Sequence, residues 1–184
     1  MYLSINSNYQ SFNSQLAKEE KNDCVVRSLA TATNVQYETA HKFAEDFFGR
    51  INKRGTSNIS IAAQMLRFET TGIEIGNKKF TLRILGKREI KNLYKLKGEQ
   101  IWRKKTLKSF IQGHQQGTYM VMVAGHALTV KDGEVLDWNS NKFLPTRKVQ
   151  AAYELNLKQE MQLSLFEEDV QNKRSRSRCQ VFNA

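Results

Sequence analysis

Lys21-Asn22-Asp23-Cys24-Val25-Val26-Arg27-Ser28-Leu29-Ala30-Thr31-Ala32 places a turn-forming Asn-Asp pair directly before a cysteine at which a helical pattern begins. Asp23 suits an N-cap, and Val25, Leu29 and Ala32 recur at helical spacing behind it. Such a start aims free backbone N–H groups and the positive end of the helix dipole at the sulfur. That environment favours thiolate over thiol, and the thiolate is the nucleophile. A cysteine opening a helix is half of a reaction centre; a base from elsewhere in the chain must supply the other half.

Around this stretch the chain divides into three parts. Residues 1–20 are polar, with Tyr2, Leu3, Ile5, Tyr9 and Phe12 as anchors, and form a leader holding at most one short strand. Helices are expected from Asp23 to Thr33, from Tyr37 to Phe48 and from Ile59 to Phe68. The second carries an apolar stripe of Tyr37, Ala40, Phe43, Ala44, Phe47 and Phe48, and the third turns Ile61, Ala62, Met65, Leu66 and Phe68 inward. Strands follow. Phe80 to Leu85 alternates, a short helix covers Leu107 to Ile111, and Thr118 to Ala124 is a buried strand continuing past Gly125 through His126 to Val130. Lys148 to Leu155 closes the sheet. Helices first and antiparallel strands later define an α+β domain over residues 21–156, with a polar tail over 157–184.

The base comes from hairpin arithmetic. If Asp132 and Gly133 form a two-residue turn, Lys131 pairs with Glu134, Leu128 with Asp137 and His126 with Asn139. His126, Asp137 and Asn139 then share one face. A histidine oriented by a carboxylate or an amide is the base that activates a cysteine, and Gly125 leaves room for a substrate to approach. Taken singly, a free cysteine belongs in a core and a strand histidine is a structural residue; the combination points to chemistry. His41 and His114 have no such partners and are expected at the surface.

Asn22-Asp23-Cys24 opening a helix, then a buried strand with Gly125-His126 and an Asp on the returning strand, resembles the papain-like cysteine peptidase superfamily. The likeness is to its small single-domain bacterial and phage forms and covers Lys21 to Trp138. It implies a papain-like fold with the cysteine helix packed on an antiparallel sheet. It also implies Cys24 as nucleophile, His126 as general base and acid, and Asp137 or Asn139 as the residue orienting His126. Relatives place a Gln several residues before the cysteine to help form the oxyanion hole, whereas this chain has Ala17-Lys18-Glu19 there. Asn22 is the nearest amide, with the Cys24 N–H as second donor.

The formal net charge of +11 is unevenly placed. Asn77 to Lys108 holds twelve Lys or Arg against Glu89 and Glu99, a patch suited to nucleic acid or an acidic partner. Two cysteines, Cys24 and Cys179, are too few for a disulfide framework or a Cys-based zinc site. No apolar run is long enough to span a bilayer and the N-terminus lacks a signal-peptide layout, so a cytoplasmic protein is expected, in the host cytoplasm if phage-encoded. In the tail, Gln162-Leu163-Ser164-Leu165-Phe166 resembles the short motif by which bacterial DNA polymerases and repair proteins dock on the sliding clamp. A basic run, Lys173 to Arg178, follows it.

The sequence thus gives two expectations. One is a cysteine hydrolase acting on a peptide, isopeptide or glutamine amide through a thioester, with no cofactor. The other is a binding protein on a papain-like scaffold, engaging nucleic acid or the sliding clamp through segment 77–108 and the tail.

Overall fold

The computed structural model describes residues 12–137 and 145–158. Four helices come first: α1 (Gln15–Glu19), α2 (Cys24–Thr33), α3 (Tyr37–Phe48) and α4 (Asn58–Thr71). Then follow β1 (Ile73–Ile75), β2 (Lys78–Ile84), a one-turn α5 (Lys87–Ile90), β3 (Lys91–Leu96) and β4 (Glu99–Lys104). The chain continues with α6 (Leu107–Gln112), β5 (Thr118–Val123), β6 (His126–Lys131), β7 (Glu134–Leu136) and β8 (Val149–Leu157). Six strands form one antiparallel sheet in the order β1-β2-β8-β5-β6-β7, while β3 and β4 pair only with each other. The architecture is α+β.

The sheet is covered on both faces, and β5 shows why its sequence is continuously apolar. Met120 and Met122 pack toward α2, α3 and α4 with Val26, Leu29, Ala30, Phe43 and Met65. Tyr119, Val121 and Val123 point the other way, onto Leu107, Phe110 and Ile111 of α6. A strand buried on both faces needs no polar alternation. Helix α2 lies directly on β6 and also touches β5, which brings the start of the helix to the start of the strand.

Several expectations are corrected. Residues 14–20 form a capped helix rather than a strand, with the Ser14 side chain accepting from the Ala17 N–H and Ala17 buried. The strand from Thr118 does not run on through Gly125: it turns at Ala124-Gly125, and Val123 pairs with His126. Gly125 has φ +69, which a glycine adopts without strain. Helix α4 buries a narrower stripe than expected; Ile61, Met65 and Phe68 are inside, but Ala62 is exposed and Leu66 is 63% exposed. Phe47 is partly exposed at the edge of the α3 stripe. The Asp-Gly hairpin has the expected register, Lys131 opposite Glu134 and Thr129 opposite Leu136. Among the described residues, no helix is long and apolar enough to cross a membrane.

Candidate active site

Cys24 is the first residue of α2, and Asp23 before it has left the helical conformation. The carboxylate of Asp23 does not cap the helix as the sequence suggests. It instead accepts hydrogen bonds from Arg27 Nε at 2.8 Å and from the buried Tyr37 hydroxyl at 2.7 Å. Two backbone N–H groups, that of Val25 in the helix and that of Ala127 in β6, favour the charged form of the sulfur.

His126 opens β6, and Asp137 follows β7 on the adjacent strand. The two side chains are buried and joined by a 2.7 Å hydrogen bond between Nε2 and Asp137 Oδ2. The other ring nitrogen, Nδ1, is buried and makes no hydrogen bond of ordinary length among the described residues. The Cys24 sulfur interacts with the ring strongly enough to shift the titration of both groups.

The electrostatics run the way a reactive pair requires. Burial pushes the Cys24 thiol up, but His126 and the two backbone N–H donors outweigh it, and the net shift is downward. Burial likewise opposes charge on His126. Asp137 and then Cys24 overcome that penalty, and the imidazole is pushed up to about 9. Each group thus favours the charged form of the other, thiolate beside imidazolium.

Beside it lies a cavity of about 410 Å³ lined by residues from three segments: Asn22 to Val25, Gly55 to Asn58, and the Met122–His126 hairpin. Gly125 contributes open space, since a Cβ there would meet nothing within 4 Å. Asn22 is on the wall, in the left-handed region at φ 55, and its Nδ2 donates to the Lys53 carbonyl at 3.3 Å. Asn139 and the peptide Gln162-Leu163-Ser164-Leu165-Phe166 lie outside the described residues. So does Cys179.

Two features that position the site are absent from the sequence-based expectations. One turn after Cys24, the Ser28 carbonyl accepts from Thr129 Oγ1 at 2.8 Å, and the two hydroxyls lie 3.2 Å apart, all buried. This clamp fixes the register of α2 on β6, and hence the sulfur relative to the imidazole. Thr129→Val keeps the shape but removes the hydroxyl, and is expected to cost about 1–2 kcal/mol in urea unfolding. Alkylation of Cys24 should slow in the same variant.

The second feature is a buried cluster. Arg50 pairs with Glu20 at 2.5 Å and donates to the backbone carbonyls of Lys21 and Asn22, each at 3.2 Å. Glu20 in turn accepts from the Lys53 N–H at 3.0 Å. His41, expected at the surface, is instead buried inside this cluster, with Nε2 3.4 Å from Arg50 Nε. His114 is also not freely exposed: it stacks on Phe110 with ring centroids 4.1 Å apart. The cluster ties the turn before Cys24 to the loop carrying Gly55 and Thr56, and both segments line the cavity. Among the described residues, no group of three His, Cys, Asp or Glu side chains is placed to hold a metal ion.

No protein-family model, curated protein or solved structure matches the chain.

Proposed function

We propose that the protein is a cysteine hydrolase that cleaves an amide bond through a thioester on Cys24, on a papain-like fold. The observation that carries this reading is the pairing of Cys24 with a His126 whose far nitrogen is held by Asp137 at 2.7 Å beside an open cavity. In the first half-reaction the Cys24 thiolate attacks the carbonyl carbon, forming the C–S bond and moving the carbonyl electron pair onto oxygen. Collapse of that intermediate breaks the C–N bond as the His126 imidazolium gives its proton to the departing nitrogen. In the second, neutral His126 takes a proton from water, the hydroxide adds to the thioester, and Cys24 leaves as thiolate. Asp137 keeps the proton on Nε2, so that Nδ1 faces the sulfur and performs both transfers.

The Cys24 N–H, at the free end of α2, and the Asn22 amide supply the oxyanion donors in this reading. Asn22 Nδ2 carries two hydrogens and spends one on Lys53.

Acylation by a p-nitrophenyl ester tests the assignment without knowledge of the natural substrate. One nitrophenolate per chain should appear as a burst, with the acyl group recovered on the peptide containing Cys24. Acylation that persists in Cys24→Ala, or that maps to a lysine, would end the proposal.

A further inference from the structure

The β3–β4 hairpin stands apart from the six-stranded sheet and from the cavity beside Cys24. Its two strands pair only with each other and are joined at Lys97-Gly98, both at positive φ. Isolated two-stranded ribbons are marginal in water, and this one leaves Leu93, Tyr94 and Leu96 roughly half exposed.

The register sorts its charges by face. Lys91 lies opposite Lys104, Leu93 opposite Trp102 and Lys95 opposite Gln100, so these six side chains share one face. Lys87 joins them from α5, its ammonium 4.8 Å from the centre of the Trp102 ring. That face carries four lysines and no carboxylate. The other face pairs Asn92 with Arg103, Tyr94 with Ile101 and Leu96 with Glu99, so its single cation and single anion balance.

Like charges directly opposite each other weaken a ribbon. Lys104 lessens the repulsion by turning its Nζ to the Gln150 side-chain oxygen, but Lys91, Lys95 and Lys87 still converge on one surface. Lysines that merely keep a strand edge from pairing with other chains need no preference between faces. Lys91 and Lys95 are spaced about 13 Å apart along the strand, a row that can follow a phosphate backbone.

We infer that the Trp102 face of the β3–β4 ribbon binds nucleic acid through its phosphates, independently of sequence. Charge complementarity selects the occupant. Lys91 and Lys104 lie side by side at one end of the face and Lys95 toward the other, with Leu93 and Trp102 between them and Lys87 beside the Trp102 ring. This arrangement suits a continuous polyanion carrying flat bases. With four phosphates neutralised, log K should fall against log salt with a slope of about −3.6 on a duplex and about −2.8 on a single strand. Between 50 and 200 mM salt the affinity should thus drop about 50- to 150-fold.

Fluorescence anisotropy of the full chain with labelled single-stranded and duplex oligonucleotides of about 30 nucleotides reads both numbers. The variant Lys91→Gln/Lys95→Gln/Lys104→Gln should bind about tenfold or more weakly and lose most of the salt slope. Arg103→Gln, on the balanced face, should bind like the parent. The inference is overturned if the triple variant keeps its affinity, since phosphate binding would then belong to another part of the chain. It is equally overturned if Arg103→Gln loses as much as the triple variant, or if polyglutamate binds as well as the oligonucleotides. Because the lysines lie outside the cavity of Cys24, ester acylation should be unaffected in all these variants. Failure of the ribbon and failure of the hydrolase are therefore separate results.

Discussion

His126→Ala should lower the neutral-pH alkylation rate of Cys24 about a hundredfold. In the parent, His126 and two backbone N–H groups outweigh burial and bring the sulfur's titration below its ordinary 9.0, toward the thiolate. Without the ring, burial remains and the strongest favourable partner is gone. A thiol at its ordinary 9.0 is about 1% ionised at pH 7, and a buried one is less so. Iodoacetamide labelling in a Cys179→Ala background, which removes the only other thiol, measures this directly. Labelling that is fast at pH 7 in both proteins would mean that the sulfur does not depend on His126. The pH profile adds a second check. Hydrolysis by the pair needs imidazolium, so its alkaline limb should lie near 9, where His126 gives up its proton. Asp137→Asn retains an acceptor for Nε2–H but removes the charge, and should move that limb down toward the ordinary histidine value of 6.5. The same raised value has a stability consequence of fixed sign. The imidazolium stabilises the fold fully below 6.5, and this contribution is lost as pH rises through about 9.

How much of this could be read beforehand depended on whether the signal was local. Helices α2 and α3 have the bounds their apolar periodicity indicates, because each buries one stripe against the sheet. The Asp132-Gly133 turn fixed the β6–β7 register by itself, since both residues adopt positive φ there. That register was enough to bring His126 and Asp137 together on paper. The turn at Ala124-Gly125 is hidden in the sequence because β5 and most of β6 are buried on both faces, His126 and Thr129 included, so no exposed polar residue marks the bend. The β3–β4 ribbon was illegible for the opposite reason. It buries little, its alternation is lost among lysines, and its tip uses Lys97 at a position where Asn or Asp is the usual signal. Glu20, His41 and Arg50 come from three separate segments, and no spacing in the sequence connects them.

That last group should give the largest change in stability. Arg50→Ala leaves the Glu20 carboxylate buried without its cation, and breaking a buried pair in this way costs about 3–5 kcal/mol. The lost contacts are specific. The guanidinium holds the carbonyls of Lys21 and Asn22 as well as Glu20, a fork that lysine cannot reproduce, so Arg50→Lys should recover only part of the loss. The pH dependence identifies the cause. In the parent, burial raises the Glu20 carboxyl, but the Lys53 N–H and Arg50 bring it below its ordinary 4.5. Its contribution is thus present above that value and is lost as pH falls through the lowered one. In Arg50→Ala the balance tips toward the protonated form, so the deficit relative to the parent should shrink on acidification below about 4.5. Urea unfolding from neutral to acidic pH reads both effects, and a deficit that does not vary with pH would show that the lost packing, not the stranded carboxylate, is responsible. Glu20→Gln/Arg50→Met removes both charges and should regain stability over Arg50→Ala. It should not regain Cys24 reactivity, because the guanidinium's bonds to the Lys21 and Asn22 carbonyls are still missing. A variant that is stable again yet slow to alkylate would separate the cluster's role in holding the cleft walls from its role in holding the fold.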